Sequence, residues 1–546
     1  MAASPPLRRD LLVVLGFTLA ASAPLLFKPF HIDEPFFLAI AGRILQDPLH
    51  PLDKLYATGG RLIPMRQACD TPLLFCYVLA AALKVSGGVE WLTRLLLLPF
   101  DGLSAAALYL IAARFLKRPL WPALVCLAAP GWLLNFSHLM GEKALCAFAL
   151  WSLYALIRGV DDGDARWYWS AAAFCALATL SKYAGVFLLV PAVSYSLARR
   201  VPARRVAAWL ALACAPVALT LLLDRAAGGS AAGVIWRETA GTSTLALRMW
   251  VHKSRALLCF AGGCGLVTAV WPLAIYPPRR SLLALSAATA LLFLPPLDLA
   301  PVVRPLDRGT GWLLACGAGW GIWNLLSDRR GKGWPLWSSW FAGVALLLGL
   351  VYWSVLARLE IFLVPPLVFG MAERIEASWT PARAARFYRT SFALCLAVTA
   401  ALGAVDFHFA AAQKDFADKI RNEYTSRGRR VWHATHWGLA YYLERAGAEY
   451  VDLGAEGWKA VAPGDAAVIA RLSADASMPA RQLANVTTVT VDEPIPLRLL
   501  SGWTGEAGFY SSAFGFLPFS ISREPLEEFT IIEPVGSAAQ LPIKPR

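Results

Sequence analysis

Residues 11–35 read LLVVLGFTLAASAPLLFKPFHIDEP, an apolar run that is followed almost at once by a pair of carboxylates. The apolar part, residues 11–27, has the character of a membrane-spanning segment, and Asp33 and Glu34 come within a few residues of its end. Charges at the water edge of a membrane helix are costly to desolvate, so they usually serve chemistry or anchoring. The acidic pair is therefore the strongest indication of what the chain does.

The composition is that of a polytopic membrane protein. Of the 546 residues, 57% are hydrophobic and only 16% are charged, against roughly 25% charged in an average soluble domain. The net charge of +14 follows from topology alone if Lys and Arg collect in cytoplasmic loops, and no basic cluster interleaved with aromatic residues indicates a nucleic-acid site. No CxxC or HExxH spacing indicates a metal site.

Hydropathy predicts about thirteen membrane spans, each of roughly 20 mostly apolar residues. They are, approximately, 11–29, 91–113, 119–137, 142–158, 167–181, 183–198, 206–223, 254–276, 281–297, 309–327, 334–354, 358–372 and 388–405. With a cytoplasmic N-terminus, every loop predicted on the inside is basic, as the positive-inside rule requires. Examples are Arg114, Lys117 and Arg118; Arg199, Arg200, Arg204 and Arg205; and Arg329, Arg330 and Lys332.

One apolar stretch, residues 72–85, is shorter than a comfortable span, and counting it as a span would reverse the sidedness of the loops that follow. We therefore expect an interfacial or re-entrant helix within a long first outer loop, residues 30–90. The other interpretation is an ordinary short span, and hydropathy leaves it open.

The character of the chain changes at about residue 406, where apolar runs become short and turn residues appear. The alternation of apolar and polar residues predicts strands near 430–434, 449–453, 467–470, 487–491 and 528–532, and an amphipathic helix over 439–446. We therefore divide the chain into a transmembrane domain, residues 1–405, and a small α/β domain, residues 406–546. An odd number of spans puts the second domain on the outer side, together with the acidic pair.

Few charged residues are predicted at the outer ends of the spans, and these residues form the candidate site. Asp33 and Glu34 follow the first span, Glu142 opens a later helix, Lys182 lies at a tight turn between two spans, and Arg358 opens another span. The ordinary interpretation takes the acids as helix caps or partners of the helix dipole and the cations as snorkelling anchors. The functional interpretation gives the acids acid–base chemistry and lets the cations hold a phosphate at the headgroup plane.

The order of these features resembles that of the GT-C glycosyltransferases, specifically the bacterial branch related to protein O-mannosyltransferases and the lipid A aminoarabinose transferase. The matching elements are Asp33-Glu34 with the helix through Arg43, Thr71-Pro72-Leu73-Leu74-Phe75, Glu142-Lys143-Ala144-Leu145, Ser181-Lys182-Tyr183-Ala184-Gly185, Arg358 with Pro365-Pro366, and Trp437-Gly438 with Tyr441-Tyr442. The chain departs from the family pattern at three places: Glu142 stands where Asp is usual, Asp70 where a Lys often helps to bind the donor phosphate, and Leu359 where Tyr is usual.

The resemblance implies a GT-C-like fold whose residues 1–405 form the catalytic domain. It implies an enzyme that moves a hexosyl or pentosyl group from a polyprenyl-phosphate donor to an acceptor at the outer face of the membrane, with inversion of the anomeric centre. Asp33 would be the general base, Glu34 and Glu142 would orient the acceptor or Asp33, and Arg358 and Lys182 would bind the donor phosphate. No cofactor is certain, but Asp33, Glu34 and Glu142 would be the ligands if a divalent cation, Mg²⁺ or Mn²⁺, is used.

The expected location is a bacterial inner membrane, with a cytoplasmic N-terminus and a periplasmic or extracellular C-terminal domain. The expected partners are the bilayer, the lipid-linked donor and an acceptor that can be a protein, a lipid or a glycan. Two other functions fit part of the sequence. A transporter or lipid flippase would explain the spans, although transporters usually place polar groups near the membrane midplane. A non-catalytic scaffold whose outer domain binds glycans would tolerate the loss of Asp33.

Overall fold

The computed structural model describes residues 5–226, 246–277, 280–299, 302–475 and 485–534. Within these ranges the chain is a bundle of helices that carries a small β-sheet near its C-terminus. The α-helices are Pro5–Ser22, Glu34–Gln46, Met65–Ala68, Leu74–Ser86, Glu90–Phe115, Leu120–Ala128, Pro130–Phe136, Glu142–Asp161, Ala165–Ser181, Leu189–Ala198, Ala203–Ala226, Ala246–Gly263, Val267–Ile275, Arg280–Leu292, Pro305–Ser327, Trp334–Leu346, Ala357–Glu360, Val364–Ser378, Pro381–Glu423 and Trp437–Arg445.

Six helical segments in the described ranges are long and apolar enough to cross a membrane, and a bent pair of helices would make a seventh. The six are Leu7–Phe27, Glu90–Phe115, Glu142–Asp161, Ala203–Ala226, Trp334–Val351 and Pro381–Arg427. Shorter apolar helices add to the bundle: Leu74–Ser86, Tyr183–Ala198 and Arg280–Leu292. The chain is therefore a multi-pass helical membrane protein, as the composition predicts, whereas the count of thirteen spans stays a prediction.

Some predicted spans are interrupted helices rather than continuous ones. The span predicted at 119–137 is broken at Ala129, which is extended (ψ 145°) before Pro130, because a residue that precedes proline disfavours the helical region. The span predicted at 254–276 bends by 76° close to Leu266, whose φ is 52°. A left-handed residue cannot continue a right-handed helix. Hydropathy therefore predicts one span where the backbone forms two helices.

The first loop contains two helices that pack together. Helix Glu34–Gln46 begins directly after Asp33 and buries Phe37, whose ring lies 6.1 Å from the ring of Phe75. Phe75 belongs to helix Leu74–Ser86, which has 13 residues and is too short for a comfortable span. Its length fits the interfacial or re-entrant helix that the sequence predicts at 72–85.

Between these helices the first loop forms an antiparallel hairpin of strands β1 (Leu55–Thr58) and β2 (Arg61–Pro64). The turn residues Gly59 and Gly60 have φ values of 57° and 77°. A two-residue type I′ turn needs positive φ at both positions, which glycine adopts without strain. At the tip, the Gly60 carbonyl accepts a hydrogen bond of 2.8 Å from the Leu453 N–H, so the first loop is bound to the C-terminal region.

The C-terminal region contains a five-stranded mixed sheet. Its strands are part of the series β3 (Val431–His433), β4 (Glu449–Tyr450), β5 (Ala466–Ala470), β6 (Asn485–Val491), β7 (Leu497–Arg498), β8 (Ser520–Ile521) and β9 (Glu527–Glu533). The order is β4-β3-β5-β9-β6, with β3 parallel to β4 and β5, and β9 antiparallel to β5 and β6; β7 and β8 pair separately. The five predicted strands and the helix predicted at 439–446 are confirmed within a few residues.

One long helix joins the bundle to this sheet. It covers Pro381–Glu423, 43 residues, and continues well past residue 405, where the last predicted span ends. Near its C-terminal end the rings of Phe416 and Phe529 stack at 4.2 Å. The division of the chain at 405/406 and the outer position of the second domain stay predictions, and residues 476–484 and 535–546 lie outside the described residues.

The last part of the chain also holds the segment that precedes Arg358. The Ala357 N–H donates a hydrogen bond of 3.1 Å to the Phe509 carbonyl, and the Val355 N–H donates one of 3.0 Å to the Ser512 Oγ. Because both bonds involve main-chain groups, they fix the backbone from which the Arg358 side chain projects.

Candidate functional site

Asp33 lies immediately before helix Glu34–Gln46, and its side chain is 38% exposed. The preceding Ile32 has a φ of 49°, a conformation that a β-branched residue adopts only where its surroundings impose it. Arg358 Nη1 donates a hydrogen bond of 2.7 Å to Asp33 Oδ2, across 325 positions of sequence. The fold therefore joins the first acid of the candidate site to the last of its cations.

Glu142 continues this arrangement on the other side of Arg358. It is the first residue of its helix, it is almost fully buried, and its Oε1 lies 3.0 Å from Arg358 Nε. The same oxygen accepts a hydrogen bond from Lys182 Nζ. Gly141 permits the two helix ends to approach, since a Cβ at this position would lie 2.7 Å from the Ser181 carbonyl oxygen.

Asp33, Arg358, Glu142 and Lys182 thus form one continuous set of ion pairs, which we call the charge series. Its members come from four separate parts of the sequence and lie next to helix ends. The structure therefore brings together four of the five residues that the sequence singles out, although their catalytic and binding roles stay predictions.

Asp70 also faces the charge series. Its side chain is exposed, but the surrounding protein crowds it. The resulting desolvation raises the pKa of Asp70 above its usual value; Lys182 and Arg358 oppose this effect and the charge of Asp33 adds to it. The residue that stands in place of a family lysine therefore adds negative charge to the site.

Glu34, the fifth predicted residue, is not part of the charge series. Its carboxylate is fully buried and accepts two hydrogen bonds from Arg94, at 2.7 and 2.9 Å. The main-chain N–H groups of His31 and Leu139 also donate to it, at 2.7 and 2.8 Å. Because both oxygens are occupied, Glu34 has no free acceptor for a substrate, and it instead fixes the backbone next to Asp33.

Replacing Glu34 with glutamine should destabilise the protein by about 3–5 kcal/mol, because the buried charge of Arg94 would lose its partner. The measurement is the thermal unfolding midpoint of the purified protein in detergent. Asp53→Asn is the matched control. Asp53 is half-exposed and lies 3.4 Å from Arg66, and an exposed ion pair of this kind contributes little to stability. Equal midpoints for the two variants would contradict the prediction.

Several buried ion pairs near the site escaped the sequence analysis. Arg94 is the partner just described, Lys28 Nζ contacts the Asp406 carboxylate, and Lys143 Nζ lies 2.6 Å from Asp101 Oδ1. All five of these residues lie inside or at the end of apolar segments. A charge inside an apolar segment needs a partner of opposite charge. The position of these charges in the sequence could therefore have predicted that they pair.

The residues named as conditional metal ligands lie next to cations of the protein itself. Glu34 is paired with Arg94, Asp33 with Arg358, and Glu142 with Lys182 and Arg358. In the described ranges, no group of three or more His, Cys, Asp or Glu side chains is placed to hold an ion. The set of Asp33, Glu34 and Glu142 as ligands for Mg²⁺ or Mn²⁺ stays a prediction.

Part of this site lies in a segment that matches a known family. Residues 70–223 match the sequence model of the family described as dolichyl-phosphate-mannose-protein mannosyltransferase. The matched segment includes Asp70, Glu142 and Lys182. The resemblance to mannosyltransferase-like GT-C enzymes that the motifs indicate is thereby confirmed. Among curated proteins, none matches the chain significantly.

Several solved structures show a distant similarity to this chain. The crystal structure of ArnT from Cupriavidus metallidurans in the apo state has 14% sequence identity and a TM-score of 0.41, over 84% of this chain and 92% of that chain. ArnT from the same organism bound to undecaprenyl phosphate has 15% identity and a TM-score of 0.38, over 85% and 92%. The cryo-EM structure of arabinosyltransferase EmbB from Mycobacterium smegmatis has 17% identity and a TM-score of 0.31, over 68% and 31%.

Proposed function

We propose that the chain is a GT-C glycosyltransferase that moves a hexosyl or pentosyl group from a polyprenyl phosphate to an acceptor hydroxyl or amine, with inversion. The observation that carries the proposal is the charge series, in which the partly exposed carboxylate of Asp33 lies next to the cations Arg358 and Lys182. The family match over residues 70–223 supports the enzyme class.

In this mechanism Asp33 is the general base. It accepts the proton that the acceptor loses as its oxygen or nitrogen attacks the anomeric carbon. The bond between that carbon and the phosphate oxygen breaks, and its electron pair stays with the polyprenyl phosphate. Arg358 and Lys182 stabilise the phosphate charge, and attack on the face opposite the leaving group inverts the centre.

The two glutamates hold this arrangement in place. Glu142 bridges Arg358 and Lys182, so it sets the spacing of the two cations that would receive the phosphate. Glu34 binds the main-chain N–H of His31, two residues before Asp33. We assign both glutamates to positioning, which is the orienting role that the family resemblance implies for them.

In this proposal, binding of the donor releases Asp33 from its ion pair with Arg358. Without donor, Nη1 of Arg358 is engaged by Asp33 at 2.7 Å. A phosphate that binds the same guanidinium competes with Asp33 for it, because bidentate contact with phosphate uses the Nη groups. The displaced carboxylate is then free to accept a proton, so the base becomes available only when the donor is bound.

We place this reaction at the outer face of a bacterial inner membrane, with a cytoplasmic N-terminus and the C-terminal domain outside. The bias of Lys and Arg toward alternate loops supports this orientation. Phosphate, lipid tail and acceptor all reach the headgroup plane from that side. The sheet region, which binds both the hairpin of the first loop and the backbone before Arg358, would then border the site on the aqueous side.

The direct test uses purified protein with a polyprenyl-phosphate sugar that is labelled in the sugar. We expect release of polyprenyl phosphate and transfer of the label to an acceptor supplied by a membrane extract. A parallel sample in proteoliposomes measures uptake of the labelled sugar or lipid. Uptake without transfer would contradict the enzyme and favour a transporter or flippase.

Asp70 should make donor binding depend on pH. Asp33, Glu142 and Asp70 together face the two cations Arg358 and Lys182, so one negative charge is in excess when all five are ionised. Because the pKa of Asp70 is raised above its usual value, this carboxyl loses its charge at a higher pH than an ordinary aspartate does, and the affinity for an anionic donor should rise as it is protonated. Asp70→Asn should bind polyprenyl phosphate roughly tenfold more tightly at neutral pH, a gain of about 1.4 kcal/mol from loss of one repulsion.

The measurement is the dissociation constant of polyprenyl phosphate from mildly acidic to neutral pH. The wild type should show a slope and Asp70→Asn a much flatter line, whereas Asp53→Asn, in the same loop but paired with Arg66, should follow the wild type. Equal slopes for all three proteins would show that Asp70 does not act on the donor.

A further inference from the structure

A polar cavity lies at the end of the bundle opposite the charge series. Its volume is about 350 Å³, within the usual range of ligand sites. Helix Glu90–Phe115 connects the two places: Arg94 near its start binds Glu34, and Arg114 near its end lines the cavity. Twenty residues of helix separate the two arginines, roughly 30 Å at 1.5 Å per residue, so the cavity is not part of the candidate site.

Cations predominate in the lining of this cavity, which we call the far cavity. Its charged residues are Arg114, Lys117, Arg330, Lys332 and Arg374 against Asp328, Glu373 and Glu376. Two of the acids are used by main-chain groups: Glu376 accepts hydrogen bonds from the N–H groups of Lys117 and Arg118, both at 2.8 Å, and Glu373 accepts one of 3.0 Å from Gly333.

Several lining cations make no direct contact with an acid of the described ranges, although the charge of Lys332 does act on Glu373. Within the part of the chain that the structure describes, the side-chain nitrogens of Lys117, Lys332 and Arg374 make no hydrogen bond or ion pair. The acids near them bind loop backbone rather than these side chains. With five cations against three acids in its lining, the cavity favours an anion, and a phosphate has the oxygen geometry that suits Arg and Lys together.

The wall of the far cavity also indicates an occupant with an apolar part. Trp334 and Trp337 line it, and Asn324 lines it from the end of another helix. On the other face of that helix, Trp323 is 53% exposed and Leu326 is 44% exposed. A basic recess with tryptophans in its wall, at the end of a bundle of apolar helices, is typical of the level at which lipid headgroups lie.

We propose that the far cavity binds the phosphate headgroup of an anionic phospholipid, with Lys332, Arg374 and Lys117 around the phosphate. This site takes a lipid of the bilayer itself, independently of the donor and of the proposed transfer reaction.

The test compares lipid retention by wild-type protein and by the double variant Lys332→Gln/Arg374→Gln in nanodiscs of phosphatidylcholine mixed with phosphatidylglycerol. Native mass spectrometry counts the phosphatidylglycerol that stays bound. We expect the variant to retain it about 30-fold more weakly, at about fivefold for each cation removed near an anionic lipid. The unfolding midpoint in phosphatidylcholine alone should stay unchanged, which separates lost binding from lost folding.

Arg204→Gln/Arg205→Gln is the matched control. These exposed arginines follow Arg199, which pairs with Asp161 at the end of helix Glu142–Asp161 away from the charge series, and neither lines the far cavity. Full retention in the control supports the proposal. Equal loss of phosphatidylglycerol in both double variants would show that general surface charge, and not this cavity, retains the lipid. Displacement of the lipid by millimolar glycerol phosphate would assign the cavity to a soluble phosphate. Either result overturns the proposal.

Discussion

Asp33→Asn should reduce sugar transfer by about 10²- to 10⁴-fold, the usual loss when a general base is removed. Asparagine keeps the size and one acceptor oxygen but cannot take the proton from the acceptor. Donor binding should be at least as tight as in the wild type, because the variant no longer competes with the phosphate for Arg358. The measurements are the release of polyprenyl phosphate from labelled donor and the dissociation constant of the donor.

The control for this variant is Asp53→Asn, which removes a half-exposed carboxylate of the same loop and should keep full activity. The unfolding midpoint of Asp33→Asn should also stay near that of the wild type, since its side chain is 38% exposed. A folded Asp33→Asn protein that transfers sugar at the wild-type rate would remove Asp33 from the mechanism.

Arg358→Met should reduce kcat/KM for the donor by about 10²- to 10³-fold, the range measured when one donor to a developing anion is lost. Methionine keeps an unbranched side chain of similar length but has no charge to offer the phosphate. Arg358→Lys should recover part of the loss, because it restores the charge but not the planar fork. The measurements are initial rates against donor concentration for the two variants.

Arg430→Met provides the comparison for lost ion pairing, since Arg430 pairs with Glu449 at 2.7 Å on the exposed edge of the sheet. It should leave both kcat and KM unchanged. If Arg358→Lys were as inactive as Arg358→Met, geometry rather than charge would dominate. Wild-type kcat/KM in Arg358→Met would contradict the assignment of the donor phosphate to this residue.

The strands could be predicted because their signal is local. Near 431–433 and 527–533, apolar and polar residues alternate because successive side chains face opposite sides of one sheet. Neighbouring residues in the sequence are therefore enough to reveal the strand. The span count could not be obtained in the same way. A hydropathy window sums side-chain character, but the breaks at Ala129 and Leu266 are properties of the backbone, to which such a sum is insensitive.

The same distinction applies to the candidate site. Asp33, Glu142, Lys182 and Arg358 could be singled out because each is a charge at the end of an apolar run, and a short motif surrounds each of them. The different place of Glu34 could not be foreseen, because it depends on Arg94, 60 residues away. Asp33 is thus partly exposed while the adjacent Glu34 is fully buried. The difference comes from helix Glu90–Phe115, which brings Arg94 to Glu34.

The two main-chain hydrogen bonds that hold residues 355–357 have a consequence for the order of synthesis. Their partners come late in the chain, Ser512 being 157 positions after Val355. At roughly 5–20 residues per second, a nascent chain carries Arg358 for roughly 8–30 s before Phe509 and Ser512 exist. The helices can enter the membrane during that interval, and Asp33 and Glu142 can already pair with Arg358, but the backbone that carries this cation is not yet held. Synthesis of the last part of the chain would then be the event that completes the proposed site.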